Sequence, residues 1–112
     1  ILIVGYILSI NRDSILENWR TLVAATLLLH VGGFGLGYGL ARAMKLNELS
    51  SRTVSIEVGM QNSGLGTALA KAHFTAATAV PCAVSAVMHC LLGGVVAGVW
   101  RLRKAKQDAG QQ

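Results

Sequence analysis

Four stretches of the 112-residue chain are nearly free of charged side chains, and they determine the predicted elements. Residues 1–11, 21–41 and 72–100 hold no Asp, Glu, Lys or Arg, and residues 53–70 hold only Glu57. A helix rises about 1.5 Å per residue, so 21–41 spans roughly 31 Å, close to the thickness of a bilayer's hydrocarbon core. Soluble domains place charge on the wet face of each element. The pattern therefore predicts an all-α integral membrane protein.

Polar connections at 11–19 and 45–52 separate the predicted helices. Pro81 favours a last helix that begins near Ala79, because a first helical turn needs no proline N–H, and that ends at the interfacial Trp100. The chain starts inside an apolar run without Met, which predicts that it is the C-terminal part of something longer. The predicted segments are the end of a truncated membrane helix at 1–10, three membrane helices within 20–103 and a cytoplasmic polar tail at 104–112.

The distribution of Lys and Arg predicts an orientation. Of the ten, seven lie on the predicted side that holds the 45–52 connection and the C-terminus, and three lie on the other side. The positive-inside rule therefore places the C-terminus in the cytoplasm, in a multi-pass protein of the cell (inner) membrane. The basic cluster at 101–106 has no aromatic side chains among its cations for base stacking, which argues against nucleic acid as a partner.

Small residues recur every four positions in two of the predicted helices. Such spacing lets membrane helices approach closely, so we interpret both faces as packing surfaces. The glycines match no dinucleotide-binding motif. The faces are Gly33 with Gly37 and Gly35 with Gly39 in one helix, and Cys82, Ala86, Cys90, Gly94 and Gly98 in the last.

The stretch 53–70 carries the candidate chemistry. It holds a carboxylate, two carboxamides and three glycines, and a carboxylate at the centre of a membrane helix costs roughly 2.5–3.5 kcal/mol on insertion scales. Transporters use such stretches as broken helices whose oxygen atoms bind a coupling cation. Glu57 and Gln61 are four apart and would share a helical face, while Gly59 and Gly64 bracket the place where the backbone unwinds. Oxygen donors suit a hard cation such as sodium and no transition metal.

Other interpretations stay open from the residues alone. Glu57 is also compatible with a buried structural ion pair, with an interfacial position at the end of a short helix, or with a proton carrier in a cation/proton antiporter. A non-transporting membrane scaffold is a further alternative. An enzyme would need Ser63 or Cys90 activated by His89, and we predict none. His30, alone among Leu and Gly, is predicted to pack or to bond to another helix.

The residues from Arg52 to Gly66 contain the run Glu-Val-Gly-Met-Gln-Asn-Ser-Gly-Leu. This run strongly resembles the signature of the bile acid:sodium symporter family, and Pro81 and the His89 region fit that family's final membrane segment. The resemblance covers about residues 20–103.

The resemblance implies the C-terminal part of a ten-helix transporter of inverted five-helix repeats, with a discontinuous helix at about residues 46–74. Residues 1–10 would belong to its panel domain and residues 20–103 to its core domain. Its function would be sodium-coupled symport of an organic anion, such as a bile acid, a pantoate-like acid, a keto acid or a related carboxylate or sulfonate. Its partners would be the lipid bilayer and the missing N-terminal half.

The resemblance also implies site residues. Glu57 would bridge two sodium ions, and Gln61 would complete the second site through its side chain, together with two backbone carbonyls. The implied sodium ligands are thus Glu57, Val58, Met60 and Gln61.

Asn62 and His89 would face the substrate. The family usually has Asn after this histidine, whereas this chain has Cys90, which lacks the amide donor, so whether the specificity is bile-acid-like stays open.

Overall fold

The computed structural model describes residues 2–109 and, for side chains, residues 2–103. This part of the chain is helical apart from short turns, which confirms the all-α prediction. A 3₁₀ turn at Ala76–Ala79 precedes the last helix. In chain order the helices are α1 (Leu2–Ile10), α2 (Arg12–Ala43), α3 (Glu48–Gly59), α4 (Ser63–His73) and α5 (Val80–Ala109).

Two helical segments, Arg12–Ala43 and Ala76–Arg103, are long and apolar enough to cross a membrane. Large apolar side chains along them lie on the surface of the chain, among them Leu28, Leu36 and Leu91. Exposing such extensive apolar surfaces to water is unfavourable, whereas contact of these surfaces with lipid or with neighbouring membrane helices is favourable. The surface therefore agrees with an integral membrane protein.

The helices extend further into the polar segments than predicted. The connection expected at 11–19 is wrong, because α2 begins at Arg12 and the single residue Asn11 separates it from α1. Asp13 lies in the first turn of α2, where the helix dipole favours a carboxylate. Charged residues occur in exposed helical turns as well as in loops, so the polar composition of this segment does not exclude a helix. The other connection is also shorter, since α3 begins at Glu48 after a turn in which Lys45 has φ 60°.

The last helix begins as predicted and ends later. Pro81 lies in the first turn of α5, but the helix continues past Trp100 to Ala109. Residues 101–109 contain no Gly or Pro to stop it. The predicted polar tail at 104–112 has its side chains outside the described residues.

Glycines bring the backbones of α2 and α3 together. A Cβ atom at Gly37 would lie 2.9 Å from the Cβ of Val58, and one at Gly33 would lie 3.1 Å from the Val58 carbonyl oxygen. The packing prediction is therefore confirmed for Gly33 and Gly37. Within the described residues, Gly35 and Gly39 face open space.

A small apolar cluster joins α1 to the start of α5. Its buried members are Ile7, Ala79, Val80 and Ala83. This cluster holds α1 beside α5, where both helices border the break between α3 and α4.

Candidate functional site

A three-residue break separates α3 from α4. Helix α3 ends at Gly59, and Met60 has an extended backbone with φ −94° and ψ 101°. Asn62 caps α4, because its Oδ1 accepts a hydrogen bond from the Leu65 N–H at 3.1 Å. Asn is a preferred N-cap residue and Gly weakens helices, so the break follows from the local sequence. That α3 and α4 form one discontinuous membrane helix at about residues 46–74 stays a prediction.

The break leaves backbone oxygen atoms free at the end of α3. Within the described residues, the carbonyls of Glu57, Val58 and Met60 accept no backbone hydrogen bond. The C-terminal end of a helix carries partial negative charge, and the N-terminal end of the next carries partial positive charge. Oxygen donors for a cation thus lie a few residues from N–H groups that favour an anion.

Glu57 lies in the last turn of α3 and is exposed on the surface of this chain. Among residues 2–103, its side chain has no hydrogen-bond or ion-pair partner, so this part of the chain supplies no structural ion pair for it. The expectation that Glu57 and Gln61 share a helical face is wrong, because α3 ends at Gly59 and Gln61 lies in the break. Gln61 is nevertheless close in sequence to Glu57 and, like it, exposed.

The two predicted carbonyl ligands differ in their surroundings. The Val58 carbonyl faces Gly33 of α2, whereas Met60 stands in the break with its side chain against Gly93 of α5. All four predicted sodium ligands, Glu57, Val58, Met60 and Gln61, lie within five consecutive residues, and each supplies an oxygen atom.

The predicted substrate residues line one cavity. Asn62 and His89 border a cavity of about 560 Å³, together with Gln61 and with apolar residues of α1 such as Val4 and Leu8. Asn62 is exposed and His89 is nearly buried. The cavity lies beside the N-terminal end of α4. Its size suits a small organic molecule.

A second cavity, of about 330 Å³, borders the same segment from the side of α2. Gln61, Asn62 and Ser63 line both cavities, and Thr26 of α2 and Ser85 of α5 line this one. The break and the first residue of α4 therefore lie between two cavities.

A buried polar chain runs behind the break. The Nδ1 atom of His30 lies 2.8 Å from the Gly59 carbonyl oxygen, and its Nε2 atom lies 2.7 Å from the Ser85 hydroxyl. The hydroxyls of Ser85 and Ser63 are 2.9 Å apart, and Ser63 lies 3.4 Å from His89 Nδ1. The expectation that His30 bonds to another helix is confirmed. The roles of Ser85 and Ser63 were missed, although a serine in an apolar membrane helix usually needs a partner.

The closeness of Ser63 and His89 bears on the enzyme alternative. Their 3.4 Å separation brings together one of the two alternative pairs for an enzyme, Ser63 or Cys90 with His89. The Ser63 hydroxyl, however, also lies 2.9 Å from Ser85 and is buried, so it is held within the polar chain.

An ionic cluster marks the opposite end of α3. Arg52 pairs with Glu48 at 2.8 Å, and the Tyr38 hydroxyl donates to the same carboxylate at 2.8 Å. The guanidinium of Arg52 lies 5.5 Å from the ring centroid of Trp100. Aromatic and cationic side chains of this kind are typical of a membrane interface.

Comparison with known proteins gives several similar transporters. The chain is 51% identical over 104 residues to the probable sodium/metabolite cotransporter BASS1, chloroplastic, of Arabidopsis thaliana. This match covers 92% of this chain and 26% of that protein. It is 48% identical over 98 residues to the BASS1 of Oryza sativa subsp. japonica, covering 87% of this chain and 24% of the relative. It is 41% identical over 111 residues to the uncharacterized sodium-dependent transporter YocS of Bacillus subtilis, covering 98% of this chain and 34% of YocS.

The similarity lies in the C-terminal part of these proteins. The BASS relatives belong to the bile acid:sodium symporter family, and this chain is similar to them over most of its length. It spans about a quarter to a third of the length of the family members it matches. No family model and no solved structure matches it.

Proposed function

We propose that this chain is the part of a secondary transporter that binds sodium and a small organic anion and carries them together across a membrane. The observation that carries the proposal is the break between α3 and α4. Polar side chains there lie between two cavities, and backbone carbonyls next to them accept no backbone hydrogen bond within the described residues. The names of the relatives, which are sodium/metabolite cotransporters or sodium-dependent transporters, support the same conclusion.

Sodium binds, in this proposal, at the end of α3. Glu57 supplies the charge and bridges two sodium ions, while the second site is completed by the Gln61 side chain and the carbonyls of Val58 and Met60. The carboxylate needs such a partner, because within the described residues it has none. The partial negative charge at the C-terminal end of α3 adds to the attraction.

The organic anion binds, in this proposal, in the cavity lined by Asn62 and His89. Two sodium ions beside one carboxylate leave a net charge of +1, which in a site of low dielectric constant attracts an anion. The anion in turn raises the affinity for sodium by the same factor, because coupling between two sites is reciprocal. This reciprocity is the thermodynamic basis of symport.

We further propose the architecture that the family resemblance implies. The chain forms the C-terminal part of a ten-helix inverted-repeat transporter, in which α2 and α5 cross the bilayer and α3 and α4 are the halves of a discontinuous helix. The protein is multi-pass in the cell membrane, and its C-terminus is cytoplasmic.

Uptake of a labelled anion tests the proposed function. Vesicles that contain the full-length protein carrying this chain should accumulate a bile acid, pantoate or a keto acid when an inward sodium gradient is imposed, and not when potassium replaces sodium. Sodium flux that is equally fast without any organic anion would contradict symport and favour a cation/proton antiporter. Absence of both fluxes would favour a scaffold.

A further inference from the structure

His30 is the most enclosed ionisable side chain near the break. Its side chain is fully buried, and it lies on α2 between a leucine-rich turn and a glycine-rich turn. Its two ring nitrogens reach two different elements: the end of α3 at Gly59, and Ser85 in α5. The Ser85 hydroxyl is in turn hydrogen-bonded to the hydroxyl of Ser63, the first residue of α4.

The direction of these hydrogen bonds follows from their chemistry. A carbonyl oxygen only accepts, so His30 Nδ1–H donates to Gly59. In a neutral imidazole the other nitrogen then accepts, and the Ser85 hydroxyl donates to it. The Ser85 oxygen in turn accepts from the Ser63 hydroxyl. Each group in this buried chain has a partner, and such networks hold their members in one arrangement.

The buried polar chain of His30, Ser85 and Ser63 connects the two sides of the break through the long helices α2 and α5. Gly59 is the last residue of α3 and Ser63 the first of α4. Within the described residues, Met60 and Asn62 bond to their own helices, and no backbone hydrogen bond joins α3 directly to α4. The backbone bonds at the break are local, since the Met60 N–H donates to Ile56 within its own helix end. The N-cap bond of Asn62 is likewise made within α4.

We propose that His30 is a positioning residue that holds the end of α3 and the start of α4 in register, through Gly59 on one side and through Ser85 and Ser63 on the other. It thereby sets the sodium affinity of the break without touching sodium. The effect on sodium rests on the proposed function, while the positioning does not. A binding site needs its ligands held within about 0.5 Å, so loss of this link weakens binding even when the ligands are intact.

The variant His30→Ala should raise the sodium concentration for half-maximal uptake at least about tenfold, while the maximal rate at saturating sodium is kept. Ser85→Ala should act in the same direction, and the double variant should be no worse than the more severe single variant, because the two residues act as a unit. His30→Asn keeps an amide donor for Gly59 and should restore part of the loss. The full-length protein in vesicles is the system to use.

Ser51→Ala is the matched control. The Ser51 hydroxyl is also fully buried, but it donates to the Asn47 carbonyl at 2.9 Å within its own helical turn. Its loss should leave the sodium dependence of uptake unchanged.

Hydrogen–deuterium exchange in sodium-free buffer separates positioning from transport. The amides of residues 60–63 should exchange faster in His30→Ala and in His30→Asn than in the wild type, and Ser51→Ala should match the wild type. Unchanged exchange and an unchanged sodium midpoint in a folded His30 variant would overturn the inference. A wild type without sodium-dependent uptake would overturn the proposed function alone, because faster exchange in the variants would still support positioning.

Discussion

Glu57→Gln should raise the sodium concentration for half-maximal uptake by at least about 100-fold, or abolish uptake altogether. The amide keeps the shape and one oxygen donor but loses the charge. Two unit charges about 4 Å apart interact by about 4 kcal/mol at an effective dielectric constant of about 20, and each 1.4 kcal/mol corresponds to about a factor of ten in affinity. Because Glu57 has no cation partner within the described residues, its charge is available for sodium. Sodium-gradient-driven uptake in vesicles measures the effect.

Glu48→Gln is the matched control for this substitution. Glu48 lies on the same helix and is also exposed, but its carboxylate is held by Arg52 and Tyr38 at the other end. Exposed ion pairs contribute about 0–1 kcal/mol to stability, so uptake by this variant should stay close to that of the wild type. Equal sodium dependence in Glu57→Gln and the wild type would contradict the sodium assignment and favour the scaffold alternative.

Asn62→Asp should weaken the apparent affinity for the organic anion about tenfold or more, while sodium binding is maintained or strengthened. Asp is as good an N-cap residue as Asn, so the bond to the Leu65 N–H and the start of α4 should survive. The new negative charge, however, lies at the wall of the cavity that we assign to the anion. Initial uptake rates at varied anion and fixed sodium concentrations measure the change.

Asn47→Asp is the corresponding control. Asn47 caps α3 in the same way, with its Oδ1 accepting from the Ser50 N–H at 2.8 Å, but it lies outside the cavity of Asn62 and His89. If both Asp variants leave the anion affinity unchanged, the anion does not bind beside Asn62. If both lower it equally, the loss at Asn62 comes from a negative charge at a helix N-terminus and not from its place at the cavity wall.

Local features of the chain could be predicted from the sequence because local chemistry decides them. The uncharged runs identify the two long apolar helices, and Pro81 identifies the start of α5. The break falls between Gly59 and Gly64 as predicted, because glycine weakens a helix and Asn62 caps the next one. The start of α2 at Arg12 was missed, since polar side chains suit an exposed helical turn as well as a connection.

The arrangement around the break could not be predicted, because it depends on contacts between residues far apart in the sequence. His30 and Ser85 are 55 positions apart, and Ser63 and Ser85 are 22 apart. No periodicity within one helix encodes which serine meets which histidine; the packing of α2, α4 and α5 decides it. Spacing also gave a wrong geometry for Gln61, since four residues place two side chains on one face only while the helix continues.

The melting temperature of the full-length protein, measured in sodium and in potassium with and without organic anions, tests the central claim most directly. Ligands that bind the folded state raise the melting temperature. We expect sodium to raise it, and the transported anion to raise it further in sodium but not in potassium, with less sodium needed for half of the shift when the anion is present. Equal shifts in sodium and potassium, or an anion effect that does not depend on sodium, would contradict a site at which the two bind together.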